Sequence, residues 1–309
     1  MTRIPLGVLD LTPVPSGSDA RAAIASSLDL AREVEALGFH RYWFAEHHNA
    51  AGLACTSPEV MIAATTAVTK TIRVGSGGVM LPNHSALRIA EAFRVLEALH
   101  PGRIDLGLGR APGTDKKTAL ALRRSESLLG TEHMTELLAD LFRYLGDDPD
   151  PTIPFNATKA SPTGIAPPAL FLLGASVESA REAAGLGIGY AYANHFAPGG
   201  GPAALAAYRE AFVPSRWQPA PRSILAVAAI IGETDAHAAD LATSGALYFL
   251  RAGRGERDLP LPSVAEAKAY AYDDEERALL GGRGGGAVVK GPARRPRRAR
   301  CAHRGHRGR

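Results

Sequence analysis

A chain of 309 residues with 46% hydrophobic content is long enough to bury a substantial core. No apolar run approaches the roughly 20 residues a membrane-spanning helix needs, and the N-terminus lacks a basic segment followed by an apolar core, so a soluble cytoplasmic protein without a membrane partner is expected. The net charge of +4 belongs to the tail: residues 290–309 hold nine of the 35 Lys and Arg and no acid, which leaves 1–289 with 26 basic against 31 acidic residues and removes nucleic acid as an expected partner.

The two cysteines, Cys55 and Cys301, have no ligand-like spacing and point to neither a disulfide framework nor a metal site. Short apolar runs alternate with longer amphipathic segments from the start. Strands are predicted at Ile4–Asp10, His40–Phe44, Ile72–Gly75, Ile104–Leu108, Ala169–Leu173, Ile188–Ala193 and Ile224–Ile231. Between them helices are predicted at Ser18–Leu37, Pro58–Thr69, Ser85–Leu99, Ser125–Leu145, Ser176–Gly185, Pro202–Phe212 and Asp235–Phe249. Seven β-α units in a row favour an α/β fold of the (β/α)8 TIM-barrel type over an open doubly wound sheet. Two excursions interrupt a single expected domain at 1–289. One, at 146–168, is rich in Pro and Asp; the other, at 251–286, follows the seventh unit, where a mobile lid would sit.

Residues 290–309, "KGPARRPRRARCAHRGHRGR", have no periodicity and no aliphatic side chain larger than alanine, so they cannot form a packed element. They read either as a disordered basic arm or as GC-rich coding DNA translated out of frame. With permitted codons, the stretch from Arg294 read one base later gives AVRAELDALTEATAA, an amphipathic helix of good formers. On that reading the barrel lacks its final β-α unit in this chain. A coding sequence that excludes those codons would eliminate the idea.

Ligands of a parallel barrel bind at the carboxyl ends of its strands. The second strand ends in Glu46-His47-His48, readable as rim packing or as an acid-base histidine with a neighbouring carboxylate. A metal-binding histidine pair is disfavoured, because successive side chains of an extended segment point apart. The third strand runs into "VGSGGVMLPNH", where Gly77 and Gly78 either admit a flat ligand closely or form a tight loop. The fourth ends "GLGRAPGTD" with Arg110 at the mouth; as a dinucleotide fingerprint it is weak, since no helix opens directly on the glycines. The fifth ends "LLGASVESA", in which Gly174, Ala175, Ser176 and Ser179 form a phosphate cradle or a plain helix cap. Asn194 and His195 stand at the rim of the sixth.

Taken together, "GFHRYWFAEHHN", the stretch from Ser57 to Arg110 and "LLGASVESA" resemble the bacterial luciferase-like family of flavin-dependent monooxygenases, most closely its single-chain alkanal-monooxygenase-like members. The resemblance runs from about residue 3 to 289. It implies a barrel, a homodimer, reduced FMN delivered by a separate flavin reductase, and O2 as co-substrate with a small apolar molecule such as an aldehyde. It places the acid-base histidine on His47 beside Glu46, and an unusual, often cis, peptide under the flavin ring on Gly77–Gly78. Phosphate contacts fall on Arg110, Ser176 and Ser179, and rim positions near the ring on Asn194 and His195. Ala175 replaces a glutamate found in one version of the fifth-strand motif. The match stops after "VVKGPA". The competing expectations are a deazaflavin-dependent hydride-transfer enzyme on the same barrel and a truncated flavin-binding homologue without turnover.

Overall fold

The computed structural model describes residues 4–111, 113–126, 133–148, 150–153, 157–283 and 287–290. Seven strands pair in parallel and in chain order: β1 (Gly7–Asp10), β2 (Arg41–Phe44), β3 (Arg73–Met80), β4 (Ile104–Gly109), β5 (Ala169–Gly174), β6 (Gly189–Ala193) and β7 (Ser223–Ala226). The helices between them are α1 (Ala20–Ala36), α2 (Pro58–Val68), α3 (Ala86–Leu99), α4 (Lys116–Arg123), α5 (Met134–Gly146), α6 (Val177–Gly185) and α7 (Gly201–Ala211). The result is a nearly closed parallel barrel ringed by helices, as the alternation of elements predicts. Among the described residues no helix is long and apolar enough to cross a membrane.

The side-chain alternation of an extended chain sorts the core into two layers. Tyr42, Phe44, Val74, Leu106 and Leu172 join Ile62 and Phe93 in the layer between strands and helices, all buried. Trp43, Phe171 and Ala191 point the other way, with Leu9, Leu173 and Ile224 packed against them in the barrel interior. Trp43 and Phe171 meet edge-on at 5.1 Å between ring centroids. Beneath this apolar layer the buried Asp105 accepts hydrogen bonds from Arg41 Nε (2.8 Å), Arg73 Nη2 (2.6 Å) and Trp43 Nε1 (2.9 Å). One carboxylate therefore ties together β2, β3 and β4. On the outer side, the fully buried Arg94 of α3 donates to the carbonyls of Tyr144 and Pro162 and pairs with Asp147, which fastens the 146–168 excursion to the barrel.

Four differences from the predicted elements stand out, and the first two have direct physical reasons. β3 runs beyond its glycines to Met80, because those glycines mark close backbone packing on β4 and not a loop. A Cβ at Gly78 would lie 2.8 Å from the Gly107 carbonyl oxygen. α4, which no predicted helix covers, is started by Asp115, whose carboxylate accepts from the N–H groups of Lys117 and Thr118. Of the helix predicted at Ser125–Leu145, α5 supplies the second half, and 127–132 lie outside the described residues. The predicted seventh strand breaks at Val227. Its second half, β8 (Ala228–Ile231), pairs in parallel with β9 (Ala287–Lys290), so a strand of the eighth unit is in place. The remainder of the tail, 291–309, lies outside the described residues.

No ladder joins β9 to β1 among the described residues. The chain after α8 (Asp235–Gly253) is tied down on the loops that follow β1 and β2, where sequence reasoning puts a mobile lid. Ala51 N–H donates to Arg257 O (2.9 Å), Ser16 N–H to Leu261 O (2.7 Å) and Leu261 N–H to Val14 O (2.8 Å). α9 (Val264–Ala269) and α10 (Asp274–Arg283) follow this strap.

Candidate active site

The ends of β2 and β3 are locked together by Glu46. Its fully buried carboxylate accepts from His48 Nε2 (2.8 Å), His84 Nε2 (2.9 Å) and the Met80 N–H (2.9 Å). An ionised carboxylate only accepts, so both histidines carry a proton on Nε2. Burial alone would raise the Glu46 carboxyl, but these hydrogen bonds outweigh it and hold the group at about 2. Burial would lower His84, yet the hydrogen bond and charge of Glu46 leave it raised. No group of three His, Cys, Asp or Glu among the described residues is arranged to hold a metal ion.

His47 is not part of this cluster. Glu46 and His48, two apart on an extended segment, share a side, and His47 faces away from them. The expected Glu46–His47 pair is therefore replaced by Glu46–His48 and Glu46–His84. The His47 backbone N–H donates to Cys55 O (3.0 Å), while its Nδ1 is buried without a hydrogen bond of normal geometry. Burial pushes the imidazole below its ordinary value; the Ala45 carbonyl and Glu46 oppose this, and the charges of His48 and Arg257 add to it. A neutral imidazole at neutral pH can accept a proton from a reacting group.

The Gly77–Gly78 peptide is cis. A Cβ at Gly77 would lie 2.6 Å from Leu9 Cδ1 and 3.0 Å from the Trp43 ring, so neither glycine has room for a side chain. The backbone there is bare of side chains and buried against the apolar interior.

Arg110, Ser176 and Ser179 come together on the other side of the mouth. Ser176 caps α6 in a reciprocal box with Ser179, and Tyr190 Oη donates to Ser176 O (3.0 Å) and lies 3.0 Å from Ser179 Oγ. Arg110 pairs with Glu182 of α6 at 3.2 Å and places its charge near Tyr190. The exposed Glu178 carboxylate turns back onto its own N–H and the Ser176 hydroxyl, which hold it below the ordinary range. This helix end therefore already receives an anion, the chemistry a phosphate requires. Both readings of Ser176 coincide: it is a cap, at an anion-binding helix end. Gly174 has no room for a Cβ against Ser179, and Ala175 leaves this corner without a second carboxylate. The donor set and the bare Gly77–Gly78 backbone fit a flavin mononucleotide.

Asn194 N–H donates to Ala226 O (2.9 Å), linking β6 to β7, and the His195 ring packs on Phe196 at 4.4 Å. Burial lowers His195. Sequence reasoning does not reach His84, Tyr190, Tyr248 or Arg257. His84 has a usable signal, since it follows closely on the end of β3 at Met80. The strap residues have none, because their position depends on a contact with the distant loop 47–55.

The luciferase-like monooxygenase family model matches residues 4–288. A luciferase-like monooxygenase of Escherichia coli (strain K12) is 44% identical over 264 residues, 84% of this chain and 76% of that protein. An N-acetyl-S-alkylcysteine monooxygenase of Bacillus subtilis (strain 168) is 40% identical over 190 residues, 62% of this chain and 57% of that protein. Among solved structures, apo-MsnO8 superposes with a TM-score of 0.79 at 35% identity, covering 94% of this chain and 93% of that one. Two more distant structures share the fold. The oxygenating constituent of 3,6-diketocamphane monooxygenase from Pseudomonas putida, in complex with FMN, has a TM-score of 0.63 at 18% identity, covering 94% and 92%. An F420-dependent secondary alcohol dehydrogenase has 0.54 at 15%, covering 94% and 93%.

Proposed function

Because the chain belongs to the luciferase-like monooxygenase family, we propose that it is an FMN-dependent monooxygenase that inserts one oxygen atom of O2 into a small, largely apolar molecule. The observation that carries this reading is the pairing of a bare Gly77–Gly78 backbone in β3 with a neutral, partly buried His47 just beyond the end of the neighbouring β2. Reduced FMN supplies the electrons and the O2 chemistry when bound. Arg110 and the α6 end hold the phosphate, the Gly77–Gly78 backbone supports the ring, the Trp43–Phe171 layer below excludes water, and His47 Nε2 moves a proton. An aldehyde is the first substrate class to try, and the thioether named in the Bacillus subtilis relative is the second.

A separate flavin reductase supplies reduced FMN in this reading, and the protein works in the cytoplasm. It acts as a homodimer through the groove between α2 and α3, where Val60, Val95 and Leu99 are exposed side by side. Light scattering checks the dimer: Val60→Glu should yield monomer. The deazaflavin alternative draws on the fold shared with the F420-dependent enzyme. Anaerobic fluorescence titration with reduced FMN and reduced deazaflavin separates the two, and tighter binding of deazaflavin would reverse the assignment. Turnover with a reductase, isotopically labelled O2 and decanal should place label in the product. If no aldehyde or thioether is oxidised, the non-catalytic reading takes over.

A further inference from the structure

The strap that crosses the mouth and the end of α8 that feeds it carry three arginines, Arg251, Arg254 and Arg257. Two have partners. Arg254 pairs with Glu276 and with Asp273, and Arg251 lies over the Tyr270 ring at 5.8 Å. Arg257 is different. Its guanidinium has no hydrogen-bond or ion-pair partner among the described residues, although the side chain is partly buried.

Its backbone is nevertheless fixed. Arg257 O accepts from Ala51 N–H (2.9 Å), and Arg257 N–H donates to Gly255 O (3.0 Å), which seats it against the loop that begins at His47. The same loop touches Tyr248: a Cβ at Gly52 would lie 2.6 Å from that ring and 3.2 Å from Leu259 O. The charge of Arg257 is felt at both His47 and Tyr248. The neighbouring acids Glu256 and Asp258 are exposed and form no ion pair with it among the described residues. A partly desolvated guanidinium lacking an anion is matched by a planar carboxylate that takes two parallel hydrogen bonds.

We propose that Arg257 recognises the carboxylate of the substrate, a small organic acid whose carboxylate docks on the strap and whose apolar part lies towards His47. The proposal rests on the oxygenase reading for the fate of the bound acid, but not for its binding. It narrows the substrate class from apolar molecules in general to those with one anionic end.

The test uses the full chain and a matched pair of probes, N-acetyl-S-benzylcysteine and its carboxamide, by calorimetry on the flavin-free protein. The acid should bind at least tenfold more tightly than the carboxamide. Arg257→Gln should bring the acid down to the carboxamide's affinity with the melting temperature unchanged, and Arg257→Lys should keep part of the preference, since the charge remains without the planar fork. Equal affinities in the wild type, a preference that survives in Arg257→Gln, or no binding of either probe overturns the proposal. Reduced-FMN titration is read separately. If the acid preference is present and reduced FMN does not bind, the oxygenase reading fails alone; if reduced FMN binds and decanal is oxidised without any acid preference, the Arg257 assignment fails alone.

Discussion

Replacing Glu46 with Gln keeps its size and removes its charge. The carboxyl is held at about 2 against an ordinary 4.5, and the group is fully buried, so the interactions that favour its charged form are worth about 3 kcal/mol. Both histidines meet Oε1 of Glu46 and the Met80 N–H meets Oε2, so the amide NH2 of glutamine must oppose either the Met80 N–H or both histidine donors, and the expected loss of stability is about 2–4 kcal/mol. The pH dependence has two limbs. Glu46 is depressed, so its contribution is present above its unfolded value and lost as pH falls through about 2. His84 is raised, so its contribution is complete below its unfolded value of 6.5 and lost as pH rises through its higher folded value. The difference between wild type and Glu46→Gln should therefore be largest between about pH 5 and 6.5 and smaller at about pH 9. Urea unfolding at about pH 5.5, 7 and 9 measures it, with His84→Gln as a second variant should Glu46→Gln fail to fold. A loss below about 0.5 kcal/mol, or one that does not change with pH, would refute the reasoning.

Asp105→Asn should destabilise by about 3–5 kcal/mol in denaturant titrations, because Arg41 and Arg73 lose the one carboxylate they share. Gly78→Ala puts a methyl 2.8 Å from Gly107 O, and reduced-FMN affinity measured by fluorescence should fall at least tenfold, on the order of 1.4 kcal/mol. His47→Ala should lower oxygenase turnover by about 10²–10⁴ while leaving reduced-FMN binding nearly intact. Because burial lowers His47, the acid limb of the wild-type rate profile should lie below the ordinary histidine value, and a limb above 6.5 would contradict that cause.

The order of strands and helices was legible because each apolar run had to be covered, and spacing alone reports that. The candidate site was legible only in its placement: His47, Gly77–Gly78, Arg110 and the Ser176–Ser179 turn all follow apolar runs, and the structure sets them at or near the carboxyl ends of the strands. The partner of Glu46 was not, because adjacency along the chain suggested His47 whereas extended geometry turns the carboxylate towards His48 and, through the end of β3, His84. Asp105 and Arg94 were also hidden. A charged residue inside an apolar pattern looks like noise until the cations or carbonyls that surround it, drawn from 32 to 68 residues away, are brought together.

The strap over the loops that follow β1 and β2 joins Val14 and Ser16 to Leu261, segments far apart along the chain. Closing so long a loop is not much more costly at equilibrium than closing a shorter one, since each doubling of length adds only about 0.6 kcal/mol. The kinetic consequence is larger. These hydrogen bonds join segments far apart along the chain, so the seam is expected to form after the local β-α units. It is also expected to open before the sheet, because isolated backbone hydrogen bonds hold it instead of a strand ladder. Amide exchange at Ser16, Ala51 and Leu261 should therefore be faster than at Leu106 or Leu172 in the middle of the sheet.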